Sequence, residues 1–310
     1  MAAKQTRISR KKKHRRLLKM LLGTFLIALI AFGGKLGFSV HKALKAMQQP
    51  IAQSEKREQA VSIGSGDPFS ILLLGIDETA DDAGRSDTMI VMTVNPQEKS
   101  IKMLSIPRDT RTAIAGYGTV EKINHAYARG GIKMSIATVE QFMDIPIDYY
   151  VSVNMDGFKK IIDALDGVTV KNDLDLTYKS YHFAKGNIAM NGKEALVFSR
   201  IRKQDPRGDF GRQLRQKQII EAVLQKGTRF SSILKYEGVL ESVGGSVKTN
   251  LSISEMFALQ KQHKGIEQHI EQFQFKKFNG GYIGKYWYFF PDEAELDSYR
   301  QLFKQHLGLS

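Results

Sequence analysis

The sequence predicts an α/β protein: a three-layer sandwich with a mixed central β-sheet, preceded by one N-terminal transmembrane helix. Three observations carry this. A basic block runs straight into an uncharged apolar stretch. From residue 69 onward, short apolar runs bounded by turn residues alternate with stretches of helical period. The composition, 42% hydrophobic and 25% charged over 310 residues, supports an ordinary buried core.

The first element is the apolar stretch. Lys4, Arg7, Arg10, Lys11, Lys12, Lys13, Arg15, Arg16 and Lys19 supply nine of the formal +14 charges, and no acid precedes Glu55. No charge falls between Met20 and Gly34, and Lys19 and Lys35 can snorkel to opposite interfaces, so the stretch matches the roughly 20 helical residues that cross a hydrocarbon core. A cleaved signal peptide is the rival, but no small-x-small cleavage pattern occurs near Ser39 to Ala46. Basic residues stay cytoplasmic. The expected organisation is therefore a basic cytoplasmic tail (1–16), a membrane anchor (17–40), a polar extracytoplasmic stalk (41–66) ending in Gly-Ser-Gly, and one domain (67–310). The arrangement expected is that of a single-pass, type II protein of the cell membrane. Beside an apolar span the basic block is no nucleic-acid tail, and no nucleic acid is expected as a partner.

The domain opens with "FSILLLGID", a continuous apolar run typical of a strand covered on both faces. "TMIVMTVN", an Asn-Pro turn and "SIKMLSI" add a hairpin. Helical period follows in "INHAYARGGIKMSIATVEQFMD", interrupted by Gly130 and Gly131. Next come a strand "DYYVSVN", a helix "MDGFKKIIDALDG" and a strand "VTVKND". Helices are expected near 191–203, 211–226, 231–243 and 252–263, then strands "HIEQFQF" and "YIGKYWYFF", and a last helix from Pro291.

Zero cysteines exclude a disulfide scaffold, a zinc-thiolate site and a cysteine nucleophile. Neither a Walker loop nor G-x-G-x-x-G occurs, which argues against a nucleotide site. The candidate chemistry lies where ligand crevices form, beyond the carboxyl ends of strands. Asp77 ends the first strand, Arg85 and Asp87 begin its antiparallel neighbour, and "SIPRDT" returns Arg108 and Asp109 to the same rim. Two carboxylates without histidine or thiol suit a hard cation such as Mg²⁺, with substrate phosphate completing its shell. The same carboxylates serve equally as salt-bridge partners of Arg85 and Arg108.

The stretch "RIRKQDPRGDFGRQLRQKQ", 200–218, breaks at a turn and re-enters a helix. Asp209 stands at that helix start, where backbone N–H groups favour an anion. Arg212 and Gln216 share a face. Arginine forks bind phosphate bidentately and keep their charge, so Arg108, Arg200, Arg202 and Arg212 together match a pyrophosphate. Arg207 and Arg215 fall on other faces and are expected in solvent. An exposed basic helix start is the plainer alternative.

Taken together, "LLLGIDETADDAGRSDTMIVMTVNP", "SIPRDT", "KINHAYARGG" and "RIRKQDPRGDFGRQLRQ" resemble the LytR-CpsA-Psr family of cell-wall enzymes over about residues 69–230. The short basic tail, single span and length look most like its Gram-positive teichoic-acid transferases. The resemblance implies a phosphotransferase that moves an anionic glycopolymer from undecaprenyl pyrophosphate to a muramic acid hydroxyl of peptidoglycan. It implies Mg²⁺ on Asp77 and Asp87, and pyrophosphate on Arg85, Arg108, Arg200, Arg202 and Arg212. Gln216 supports that set, and Asp77, Asp87, Arg108 and Asp209 serve catalysis. It also implies an apolar cavity for the polyprenyl tail. A non-catalytic polyprenyl-pyrophosphate binding protein and a lipid pyrophosphate hydrolase remain the alternatives.

Overall fold

The computed structural model describes residues 42, 45–79, 82–229, 244–262 and 269–309. The expected tail and membrane anchor, and the helix expected at 231–243, lie outside the described residues. No helix among the described residues is long and apolar enough to cross a membrane.

A six-stranded mixed sheet forms the centre. β1 (Phe69–Thr79), β2 (Asp82–Asn95) and β3 (Ser100–Ser105) make an antiparallel meander. On the other side of β1 lies a parallel strand, Tyr149–Asn154, which is followed outward by Val247–Thr249; Ile270–Phe273 pairs parallel to β3 at the opposite edge. Between these come two short strands, β4 (Arg111–Ala113) and β5 (Val120–Lys122), so the later sheet strands are β6 (Tyr149–Asn154), β11 (Val247–Thr249) and β12 (Ile270–Phe273).

β1 is apolar at nearly every position because both of its faces are buried. Leu72, Leu74 and Ile76 pack with α1 (His125–Met143) through Ile136 and Val139, and with α6 (Glu293–His306) through Leu296 and Phe303. Phe69 and Ile71 face the other way, into a cluster with Ile90, Met92 and Met103, against which Ile220 and Leu224 of α4 (Asp209–Arg229) and Leu259 of α5 (Ile253–Gln262) pack. Helices thus cover the sheet on both sides.

α1 breaks where its glycines are: Gly131 has φ 63 and ψ −147, a backbone that a side chain rarely tolerates. α2 (Met155–Ala164) and α3 (Gly192–Arg200) start on asparagine caps, Asn154 accepting from Gly157 N–H and Asn191 forming a capping box with Glu194. "VTVKND" forms β7 (Val168–Asn172), which pairs outside the main sheet with β10 (Gly186–Met190), beside a small ribbon of β8 (Leu176–Tyr178) and β9 (Tyr181–Phe183). "YIGKYWYFF", expected as one strand, is a hairpin. β13 (Phe278–Ile283) and β14 (Tyr286–Pro291) reverse at Gly284, whose φ is 60. The reversal at Gly284-Lys285 is hidden because apolar and aromatic residues continue on both sides of it.

The segment expected as a stalk is seated on the domain along much of its described length. Met47 and Ile63 are buried, Gln48 bridges Thr249, and Arg57 forks Asp148 at 2.9 and 2.8 Å.

Candidate functional site

The rim of the sheet is built by β1 and β2. Thr88 pairs with Gly75 and Ser86 with Ile76, leaving Asp87 as the extra residue of a β-bulge. Such a bulge re-aims a side chain at the end of a ladder. Asp77 pairs across with Arg85, which is exposed. After β3 the chain turns through Pro107, and Arg108 reaches back to Asp87: Nη1 donates to Oδ2 at 2.7 Å. Of the two uses the sequence left open, this ion pair is therefore one. Asp109 is held by Lys122 at 2.5 Å.

The second wall is the stretch after α3. Ile201 is extended (φ −59, ψ 128) and wholly buried, so the flanking Arg200 and Arg202 are turned out to the rim. Arg200 Nη2 lies 3.9 Å from Asp77 Oδ1. Arg202 Nε lies 3.7 Å, and Arg212 Nη2 2.7 Å, from Asp209 Oδ1. Asp209 stands in the first turn of α4, as expected, and Gln213 Nε2 donates to its other oxygen at 3.0 Å. Gln216 is half-buried, with Nε2 3.5 Å from the carbonyl of Ser199.

The two walls share one electrostatic environment. At Arg108 the loss of solvent is the largest influence and disfavours charge, yet Asp87, Asp109 and Asp209 outweigh it and raise the pKa. At Arg212 burial prevails and lowers the pKa. Asp209 and Asp87 oppose that shift, while Arg108 and Arg202 add to it. Arg108 and Arg212 each respond to charges on the opposite wall. Arg212 is 8% exposed and its Nε has no hydrogen-bond partner, so the pocket has donor capacity to spare. Four guanidinium groups and Lys122 face four carboxylates, Asp77, Asp87, Asp109 and Asp209, and with a guanidinium donor left over they suit an anion having several oxygens.

The carboxylate oxygens of Asp77 and Asp87 are of the kind a hard cation takes. Among the described residues the ion-pair partner of Asp77 is Arg200, 3.9 Å away, and the side chain of Asp87 is 31% exposed. Among the described residues no group of three or more histidine, cysteine or acidic side chains could hold a metal. A pair of carboxylates matches Mg²⁺ only where ligand oxygens and water complete the octahedron.

One expectation is corrected. Arg215 is not in solvent: it is 1% exposed, paired with Asp205 at 2.5 Å, and it donates to the carbonyls of Phe198 and Ile201. Arg207 is half-buried and forks between Asp205 and Asp173. These residues fold the loop under the rim; helical spacing alone sets Arg207 and Arg215 apart from the anion-facing arginines and does not show that Asp205 draws them inward. A narrower signal was present, since Arg212 and Arg215 are only three apart and so lie near one another on the helix. Gly211 marks the same contact, since a Cβ there would lie 1.9 Å from Asp205 Oδ2.

With this geometry in view, the LytR_cpsA_psr family model matches residues 35–305. The chain belongs to the LytR_cpsA_psr family. A relative from Halalkalibacterium halodurans, polyisoprenyl-teichoic acid–peptidoglycan teichoic acid transferase TagU, is 48% identical over 94% of this chain and 97% of its own. The crystal structure of Bacillus subtilis TagU is 44% identical, with TM-score 0.64 over 78% of this chain and 97% of that one. TagT bound to LIIa-WTA is 31% identical, with TM-score 0.71 over 83% and 97%. The α/β architecture with its mixed six-stranded sheet is thus that of the LytR_cpsA_psr family.

Proposed function

We propose that this protein is a polyisoprenyl-teichoic acid–peptidoglycan teichoic acid transferase. Nearly full-length similarity to TagU supports this, and one observation in the molecule carries it. Arg108, Arg200, Arg202 and Arg212, from segments about a hundred residues apart, converge with Asp77, Asp87 and Asp209 on one rim.

In the proposed reaction the arginines grip the pyrophosphate that joins the glycopolymer to its undecaprenyl carrier. A muramic acid hydroxyl attacks the sugar-linked phosphorus. The P–O bond to the bridging oxygen breaks, a P–O bond to the acceptor forms, and polyprenyl phosphate leaves. Arg108 and Arg212 stabilise the charge that gathers on it. Positioning and electrostatics dominate such phosphoryl transfers. Asp87 and Asp209 are the candidates to take the hydroxyl proton. When bound, Mg²⁺ held by Asp77 and Asp87 would neutralise phosphate charge. The chain acts outside the cell membrane, anchored through 17–40, and its partners are the lipid-linked donor, peptidoglycan and the membrane.

The test is transfer in a reconstituted system with lipid-linked donor and peptidoglycan. Arg108→Ala and Asp77→Ala should each lower the rate by about 10²-fold or more, the usual cost of losing a preorganised electrostatic contact. Full activity in either variant removes the proposed site.

A further inference from the structure

The residues at the rim account for the donor and leave the acceptor without a place. Beside them stands the β13–β14 hairpin, tied to the site at its base: Phe289 N–H donates to the carbonyl of Asp109 at 2.9 Å, and Phe210, next to Asp209, packs on Phe278. Its two faces differ. Trp287 and Phe289 point inward, with the indole lying directly on Gly280 and Phe289 buried in the core. The other face carries Tyr286, Tyr288 and Phe290 at every second position of β14, a row of about 13 Å. Gly281 offers no side chain between them, and the ring of Phe290 leans over it. Tyr286 is 54% exposed and Ile283, its cross-strand partner, 46%.

This row is continuous with the site. Lys122 holds Asp109 at 2.5 Å and places its Nζ 5.7 Å from the Tyr288 ring centre. From Lys276 to Pro291 the chain has three lysines and no acid. A flat, electron-rich ring face attracts the weakly positive C–H face of a pyranose, and tyrosine adds a hydroxyl at its rim. Lysines complement carboxylates on such a strand.

We infer that the outer face of this hairpin, with Tyr286, Tyr288, Phe290 and Lys122, is the platform on which the acceptor glycan strand lies, directing a muramic acid hydroxyl toward Arg108 and Asp109. This rests on the transferase reading for its purpose but not for its binding chemistry. The experiment is a calorimetric titration of the full-length protein with an oligosaccharide of alternating N-acetylglucosamine and N-acetylmuramic acid, without donor. Tyr286→Ala/Tyr288→Ala should bind at least tenfold more weakly, and Tyr286→Phe/Tyr288→Phe should bind nearly as well as the original chain. Unchanged emission from Trp287, the single tryptophan, verifies an intact hairpin. Arg108→Ala should keep oligosaccharide binding while losing transfer, which separates this surface from the donor site. In transfer assays the alanine pair should raise the acceptor KM about tenfold and leave kcat unchanged. Equal affinity in the alanine pair overturns the inference. So does binding to phosphatidylglycerol vesicles that the alanine pair weakens, with no response to the oligosaccharide, which would make the hairpin a membrane contact.

Discussion

Asp205 shows what a buried charge does for an exposed site. Burial is the largest influence on it and opposes ionisation, but Arg207 and Arg215 overcome this and hold its pKa down to about 2. Because the folded value lies below that of the unfolded chain, the stabilisation is fully present above about pH 4 and is lost as pH falls toward 2. Asp205→Ala should cost about 3–5 kcal/mol, since it strands a buried guanidinium. It should also loosen the end of α3 and the loop after it, which carry Arg200 and Arg202, so urea midpoints and transfer rate should fall together. Lys217 is the opposite case. It is 2% exposed, its Nζ donates to the carbonyl of Phe273, and loss of solvent lowers its pKa to about 8. The folded protein binds this proton less well than the unfolded chain, so stability rises with pH between about 8 and 10.5. Lys217→Met should stabilise the protein at pH 7 by about 2 kcal/mol, and the advantage should vanish near pH 10.5. Equal midpoints for both chains at pH 7 would contradict that account.

At the scale of elements, α6 is held at both ends. Asp292 caps its start, accepting from Glu295 N–H. At its end His306 is buried between Thr93 and Ser100 of the β2–β3 hairpin, its Nδ1 2.7 Å from one hydroxyl and its Nε2 2.8 Å from the other. Burial lowers its pKa to about 4. Lys102 acts in the same sense, while Glu98 and Glu271 oppose it. A depressed histidine is neutral when folded and takes up a proton more readily when unfolded, so stability is lost as pH falls from about 6.5 to 4. Between pH 7 and 4 the original chain should lose about 3 kcal/mol more than His306→Gln, measured by urea unfolding at each pH. The existence of α6 was legible in the sequence, because its period follows a proline and an aspartate cap. Its tie to the β2–β3 hairpin was not, since the partners lie more than 200 residues apart. The β13–β14 turn escaped for a different reason. Aromatic residues fill both faces of that ribbon, so no alternation marked the reversal.

For the whole molecule, the strand pattern carried most of the architecture. Continuous apolar runs identified the doubly covered strands, and the antiparallel meander was enough to bring Asp77, Asp87 and Arg108 to one end. Arg200, Arg202 and Arg212 could be assigned to that end only through the family resemblance, because no local pattern fixes where α4 crosses the sheet. The packing of the residues before 67 was not legible, since a polar segment carries no period to show that it packs. In the structure that segment has direction. Gln48 bridges Thr249 in parallel, and β11 runs antiparallel to β6, whose last residue, Asn154, pairs beside Ile76 at the site end. Residues 45–47 therefore approach from the end of the sheet where the arginines lie. The same segment then runs down to Arg57, whose ion pair with Asp148 is nearly dry, and Asp148 also accepts from Ser70 N–H and Oγ. A fragment beginning at 67 would leave Asp148 without its guanidinium and uncover the pocket of Ile63. The first loss costs about 3–5 kcal/mol and the second about 2 kcal/mol. The fragment 67–310 should thus unfold at markedly lower urea than 45–310, and Arg57→Ala in the longer fragment should reproduce the larger part of the difference. Coincident unfolding curves for the two fragments would show that the clasp contributes nothing to the domain.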